Sequence, residues 1–150
     1  MHLAVAGDAR VVGRLLSDFN TEFETPGPDA ATFAGRFRSL LGRPDVLVLL
    51  AGQRRAPVGF AFLTLRPTPY YDGPLAQLEE LYVRPDRRAH GIGTRLLLDA
   101  IRQVRERGVE EMQINVDEVD TDTRRFYERH GFTNIESGTD RMLCYIQEFG

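Results

Sequence analysis

Apolar residues along this chain change their spacing several times, and each change marks an element. Val11, Val12, Leu15, Leu16 and Phe19 recur at helical spacing behind Asp8, a fitting N-cap, after a short first strand over His2 to Ala6. The breaker cluster TPGPD (25–29) interrupts this, and Asp29 is placed to cap a second helix carrying Phe33, Phe37, Leu40 and Leu41. After GRPD (42–45), Val46 to Ala51 is an unbroken apolar run, the pattern of a strand buried on both faces. GQRRAP (52–57) reads as a hairpin turn into Val58–Arg66, with Val58, Phe60, Phe62 and Thr64 on one face. The loop RPTPYYDGP (66–74) leads to LEELYV (78–83), an apolar strand with two acids.

A basic loop, RPDRRAH, then opens a helix whose stripe is Ile92, Leu96, Leu97, Ala100, Ile101 and Val104, stopped by Gly108. Met112–Val116 is a further strand, DEVDTD (117–122) an acidic loop, and Thr123–His130 a short helix ending at Gly131. Phe132–Glu136 and Met142–Phe149 read as final antiparallel strands around Ser137-Gly138. The predicted order is β-α-α-β-β-β-α-β-α-β-β. No repeat or linker divides it, so residues 1–150 form a single α/β domain with a mixed sheet flanked by helices.

Composition narrows the class. Of 150 residues, 42% are hydrophobic and 27% charged, an ordinary globular balance. Net charge is −3, which argues against nucleic acid as the main partner. The apolar runs fall short of the roughly 20 residues of a membrane span, so no membrane partner is expected. The single cysteine, Cys144, allows no intrachain disulfide and suits a cytoplasmic setting; its alternating strand predicts a small buried residue. His2 and His130 lack partners at ligand spacing and Cys144 has no companion, so no metal is expected.

The most informative stretch is Leu78 to Leu98. A strand feeding a glycine-containing basic turn at a helix start is a phosphate-binding arrangement: glycine lets the backbone approach an anion, and helix N-terminal N–H groups point at it. Leu96 stands where a dinucleotide fingerprint needs its third glycine, and no G-K-[ST] is present. Arg88-Ala89-His90-Gly91-Ile92-Gly93 fits R-x-x-G-x-G, and about 33 residues beyond Gly93 a second block, Phe126 to Phe132, fits F-Y-x-x-x-G-F. Together these resemble the acetyl-coenzyme A site of the GCN5-related N-acetyltransferases, most closely over Leu78–Phe132.

That resemblance implies a sheet splayed between the LEELYV and MQINV strands, where acyl carrier and acceptor meet, and acetyl-CoA as co-substrate without a metal. Arg88, Ala89, Gly91, Gly93 and Thr94, with His90 and Ile92 in the turn, cradle the pyrophosphate, and Arg87 adds charge. Leu81, Tyr82 and Val83 line the pantetheine arm, Leu81 and Val83 through backbone groups. The family often has Asn where this chain has Asp120, which lacks an N–H donor, so that contact is rearranged or Asp120 faces the acceptor. Dimers are frequent in the family, so a homodimer is within expectation.

Transfer to an amine needs a base for the ammonium, donors for the developing oxyanion and an acid for the departing thiolate. By resemblance Tyr127 is the acid. Glu79 shares strand parity with Leu81 and Val83 and is the preferred base; Glu80 points the other way in a regular strand, and a bulge would exchange them. Phe23, Tyr70 and Tyr71, among acids, would suit a cationic amine. The expected function is therefore acetyl transfer to a primary amine of a small molecule or peptide by direct attack in a ternary complex. The alternatives are a non-catalytic acetyl-CoA-binding regulatory domain and a protein N-terminal or lysine acetyltransferase.

Overall fold

The apolar run at 46–51 becomes the second strand of a five-stranded sheet in the computed structural model, which describes residues 1–150. Strands β1 (His2–Leu3), β2 (Val46–Gln53), β3 (Ala56–Arg66), β4 (Leu75–Val83) and β5 (Met112–Ile114) lie side by side in that order. The first four are antiparallel neighbours, while β4 and β5 are parallel, so the sheet is mixed. Helices α1 (Ala9–Glu22) and α2 (Ala30–Leu40) precede β2, and α3 (Ile92–Arg105) joins β4 to β5. From β1 to β5 the element order is the one the pattern predicts.

Adjacent residues of β3 show why β2 is apolar throughout. A Cβ at Gly59 would meet Leu96 of α3 at 3.3 Å, whereas Phe60 packs with Val12 and Leu15 of α1. Successive strand residues face opposite ways, so helices cover both sides of the sheet and no position from Val46 to Ala51 faces water. On the α1 side the core joins Val12, Leu15, Leu16, Phe37, Val48, Leu50, Phe60 and Tyr82. α1 and α2 cross closely at Gly13, where a Cβ would sit 2.6 Å from the Ala34 backbone nitrogen.

Caps behave differently at the two N-termini. Asp29 accepts a 2.8 Å bond from the Thr32 N–H and caps α2 as expected. Asp8 is buried and does not bond into α1; it accepts from the Val5 N–H at 2.9 Å and pairs with Arg54.

The chain divides into two compact units, residues 1–114 and 115–150. The second contains α4 (Thr121–Arg129) and a hairpin of β6 (Ile135–Ser137) and β7 (Asp140–Arg141). The final strand predicted over Met142–Phe149 is absent: β7 is two residues long, and residues 142–150 join no ladder. Cys144 is accordingly exposed rather than buried. The alternation there is strand-like, but a strand exists only where another backbone pairs with it. No helix is long and apolar enough to cross a membrane.

Candidate active site

The site is built on the second half of β4. β3 and β4 pair Phe62 with Glu80 but Leu63 with Leu78, leaving Glu79 as the extra residue of a bulge. Regular alternation therefore fails where the two acids stand. Glu79 is exposed and accepts a 2.7 Å bond from the Thr64 hydroxyl. Glu80 is half-buried, and burial, with the Glu79 charge behind it, pushes its carboxyl up to about 7. A carboxylate that titrates near neutrality is suited to accept and release protons.

The same half of β4 has an open edge. Pairing with β5 runs only from Ala76–Met112 to Leu78–Ile114. The Arg84 N–H bonds to the Val58 carbonyl at 2.8 Å, which fixes the phase: Glu80 and Tyr82 turn their backbone groups to β3, and Leu81 and Val83 turn theirs to the edge that β5 leaves free. This is the backbone placement expected for a ligand amide that extends the sheet. Tyr82 itself is buried, stacked on Phe19 with ring centres 4.8 Å apart.

Past Val83 a single 3-10 turn, Pro85–Arg87, leads into the glycine turn. Ala89 and Gly91 both have positive φ, +63° and +76°, which swing the chain so that Ile92, Gly93 and Thr94 begin α3. Gly91 is the N-cap and offers no side-chain acceptor, so the first N–H groups of α3 have no cap partner. A Cβ at Gly91 would meet nothing within 4 Å: the turn has room beside its backbone. An anion fits such a turn. The His90 ring lies 2.6 Å from the Arg88 carbonyl, inside the turn.

Arg88 departs from expectation. Its guanidinium reaches across to α1, 2.7 Å from Glu22, and lies over the Phe23 and Tyr82 rings, while its Nε donates to the Val83 carbonyl at 2.9 Å. It clamps the turn to the end of α1. Arg87 remains exposed beside Asp86. The partnership with Glu22 had no signal in the sequence, because 66 residues separate the two.

The proposed acceptor aromatics do not gather in one place. Phe23 lies by Arg88 at the C-terminal end of β4, and Tyr70 is 86% exposed. The Tyr71 hydroxyl donates to Glu111 at 3.1 Å, and the Glu111 carbonyl accepts from the Ala76 N–H, which puts Tyr71 at the opposite end of β4. In the second unit, Tyr127 is 6% exposed, its ring packed edge-on against Phe126 and Phe132. Asp120 caps α4, accepting from the Thr123 N–H at 3.2 Å, a local use for a carboxylate where the family often has Asn.

Residues 12–132 match the model of the acetyltransferase (GNAT) family. The chain belongs to that family. It is an acyltransferase, and acetyl-CoA is the family's co-substrate. A proposed acetyltransferase from Arthrobacter sp. FB24 is 49% identical, with a TM-score of 0.90 over 99% of this chain and 94% of that one. The aminoglycoside N-acetyltransferase AAC(6')-Iy in complex with CoA has a TM-score of 0.77 at 19% identity, over 97% and 92%, a likeness of fold. The mycothiol acetyltransferase of Thermobispora bispora is 37% identical over 62 residues, 41% of this chain but only 21% of that protein.

Proposed function

We propose that this GNAT acyltransferase moves an acetyl group from acetyl-CoA to a primary amine of a small molecule or peptide, by direct attack within a ternary complex. The observation that carries the reading is the open half of β4: an edge that β5 leaves unpaired at Leu81 and Val83, where only the Val83 carbonyl is engaged, by Arg88, continuous with the turn from Arg87 to Thr94 and beside a half-buried carboxyl at Glu80. Glu80 takes the proton that the acceptor ammonium must lose. Glu79 is the less suited base, because it is exposed and already bonded to Thr64, and its charge serves to raise Glu80. A main-chain N–H on the open edge faces the developing oxyanion. In the turn, Ala89, His90, Gly91, Ile92, Gly93 and Thr94 hold the pyrophosphate by main-chain N–H groups, with Arg87 adding charge, while Arg88 braces the turn against Glu22.

By family resemblance Tyr127 is assigned the phenolic proton for the departing thiolate, and Asp120 a contact with the pantetheine or the acceptor. Phe23 is assigned to a cationic amine acceptor, which would share the ring and Glu22 with the Arg88 guanidinium. An exposed, unpaired Cys144 is compatible with a reducing cytoplasm.

The test is thiol release from acetyl-CoA across a panel of polyamines, amino sugars, amino acids and peptides with free N-termini or lysines. Amine-dependent release by the wild type, strongly reduced in Tyr127→Phe, supports the reading. Release with protein substrates alone would move the acceptor to N-termini or lysines. No release with any amine would overturn it.

A homodimer is part of the same proposal. Met142, Leu143, Tyr145, Ile146 and Phe149 are all exposed, Tyr145 by 90%, and a tail of this kind is an interaction surface in waiting. Light scattering should show a dimer that Tyr145→Ser/Ile146→Ser/Phe149→Ser converts to monomer. A monomeric wild type would sink the idea.

A further inference from the structure

Two basic turns lie apart in sequence, Arg54-Arg55 between β2 and β3 and RPDRR after β4. The fold brings them together against α1. Between them is a cleft of about 230 Å³ whose wall includes Val11 and Arg14 of α1, Arg55 of the hairpin, and Arg84, Asp86 and Arg87 beyond β4. Four guanidinium groups thus face a single lining carboxylate, on a chain whose net charge is −3.

The nearby ion pairs leave much of this charge uncompensated. Asp18 holds Arg84 at 2.9 Å, and the Arg84 Nε also approaches the Pro57 carbonyl at 3.4 Å. Arg87 is 3.6 Å from Asp86. Arg14 and Arg55 pair with no carboxylate. Like charges gathered in a concavity repel each other, and an anion placed among them relieves the repulsion while the protein wall concentrates the field. The planar fork of arginine matches the oxygens of a phosphate group in particular.

We infer that this cleft binds a phosphate-type dianion through Arg14, Arg55, Arg84 and Arg87. It is separate in kind from the glycine turn, which offers backbone N–H groups and whose own Arg88 is drawn away to Glu22. Because Arg87 lies directly before that turn, two sources have the right chemistry: the 3′-phosphate of coenzyme A, and a free phosphorylated small molecule.

R14Q/R55Q tests this against R36Q/R38Q, which removes the same charge from exposed positions of α2. Both are compared with wild type after circular dichroism shows an intact fold. In the first arm, calorimetry compares acetyl-CoA with 3′-dephospho-acetyl-CoA. If the dianion belongs to the coenzyme, wild type prefers the phosphorylated form by about tenfold, the scale of one charged hydrogen bond, and R14Q/R55Q loses the preference. In the second arm, inorganic phosphate is titrated at low ionic strength into protein saturated with 3′-dephospho-CoA. If the dianion is a separate molecule, phosphate binds R14Q/R55Q about tenfold more weakly than wild type. The inference is overturned if R14Q/R55Q equals wild type in both arms. It is equally overturned if R36Q/R38Q loses as much, since diffuse charge would then explain the effect. Failure of 3′-dephospho-CoA to bind counts against the acetyl-CoA reading instead, because the phosphate titration can be run without it.

Discussion

The two halves of β4 make an instructive contrast. Leu75 to Leu78 pairs with β3 on one side, and with β5 on the other from Ala76 onward; it is nearly all buried and carries no ionisable group. Glu79 to Val83 pairs with β3 alone, contains a bulge, and holds both acids. One strand is therefore doubly paired structure at its start and, in the function proposed above, chemistry at its end. The difference teaches that sites arise where a sheet gives up pairing. A free edge offers N–H and C=O groups to a ligand, and a bulge re-aims side chains that regular alternation would commit elsewhere.

The sharpest way to test the contrast is to alter the open half without touching the paired one. Glu80→Gln keeps the shape of the side chain and removes the proposed base. Turnover should fall by about 10²–10⁴-fold, the usual value of general base catalysis, with acetyl-CoA affinity unchanged. Wild-type kcat/KM should rise with pH through about 7, and the variant should lack that limb. The same group predicts a stability trend of definite sign. Its carboxyl has an ordinary value of 4.5 and stands near 7 in the fold, so the native state holds more protons between those limits. Stability should therefore fall as pH rises from about 4.5 to 7, and Glu80→Gln should flatten that slope in denaturant titrations.

The paired half should respond in the opposite way. Leu78 is fully buried between β3 and β5, so Leu78→Ala should cost about 2–5 kcal/mol in urea unfolding. Glu80 should still titrate normally in whatever fraction stays folded. A variant as stable as wild type but inactive would break the division between the halves.

Glu79→Gln removes a charge beside Glu80 without removing the base. Turnover should drop no more than about tenfold, and the kcat/KM midpoint should move to lower pH as the repulsion goes. A loss as large as that of Glu80→Gln would restore Glu79 as the base. The smallest effect is expected at the clamp. Glu22→Gln breaks an exposed ion pair worth about 0–1 kcal/mol, freeing Arg88 to turn toward the phosphates. Acetyl-CoA should bind more tightly, by less than about fivefold in calorimetry. Markedly weaker binding would mean that the clamp itself shapes the turn.

Much of this molecule was readable before folding, and the reasons are local. Element order comes from apolar spacing, because a helix or a doubly covered strand imposes its own period. Asp29 announces α2, because its cap bond spans three residues. The turn at Arg88–Thr94 is legible because R-x-x-G-x-G encodes a left-handed residue at Gly91 and, directly after it, a helix start. Tertiary pairing decided the remainder. Which glutamate is buried depends on a bulge against Phe62 and Leu63, some 16 residues away in sequence. Arg88 faces Glu22, and Arg14 shares a cleft with Arg55 and Arg87, only after α1 packs on the sheet. Met142–Phe149 has a strand's pattern, yet beyond the Met142 N–H bond to the Asn134 carbonyl it joins no ladder. Spacing along a chain specifies what each segment prefers. Desolvation, ladder bonds and ion pairs are set by residues that arrive from elsewhere, so they exist only in the folded molecule.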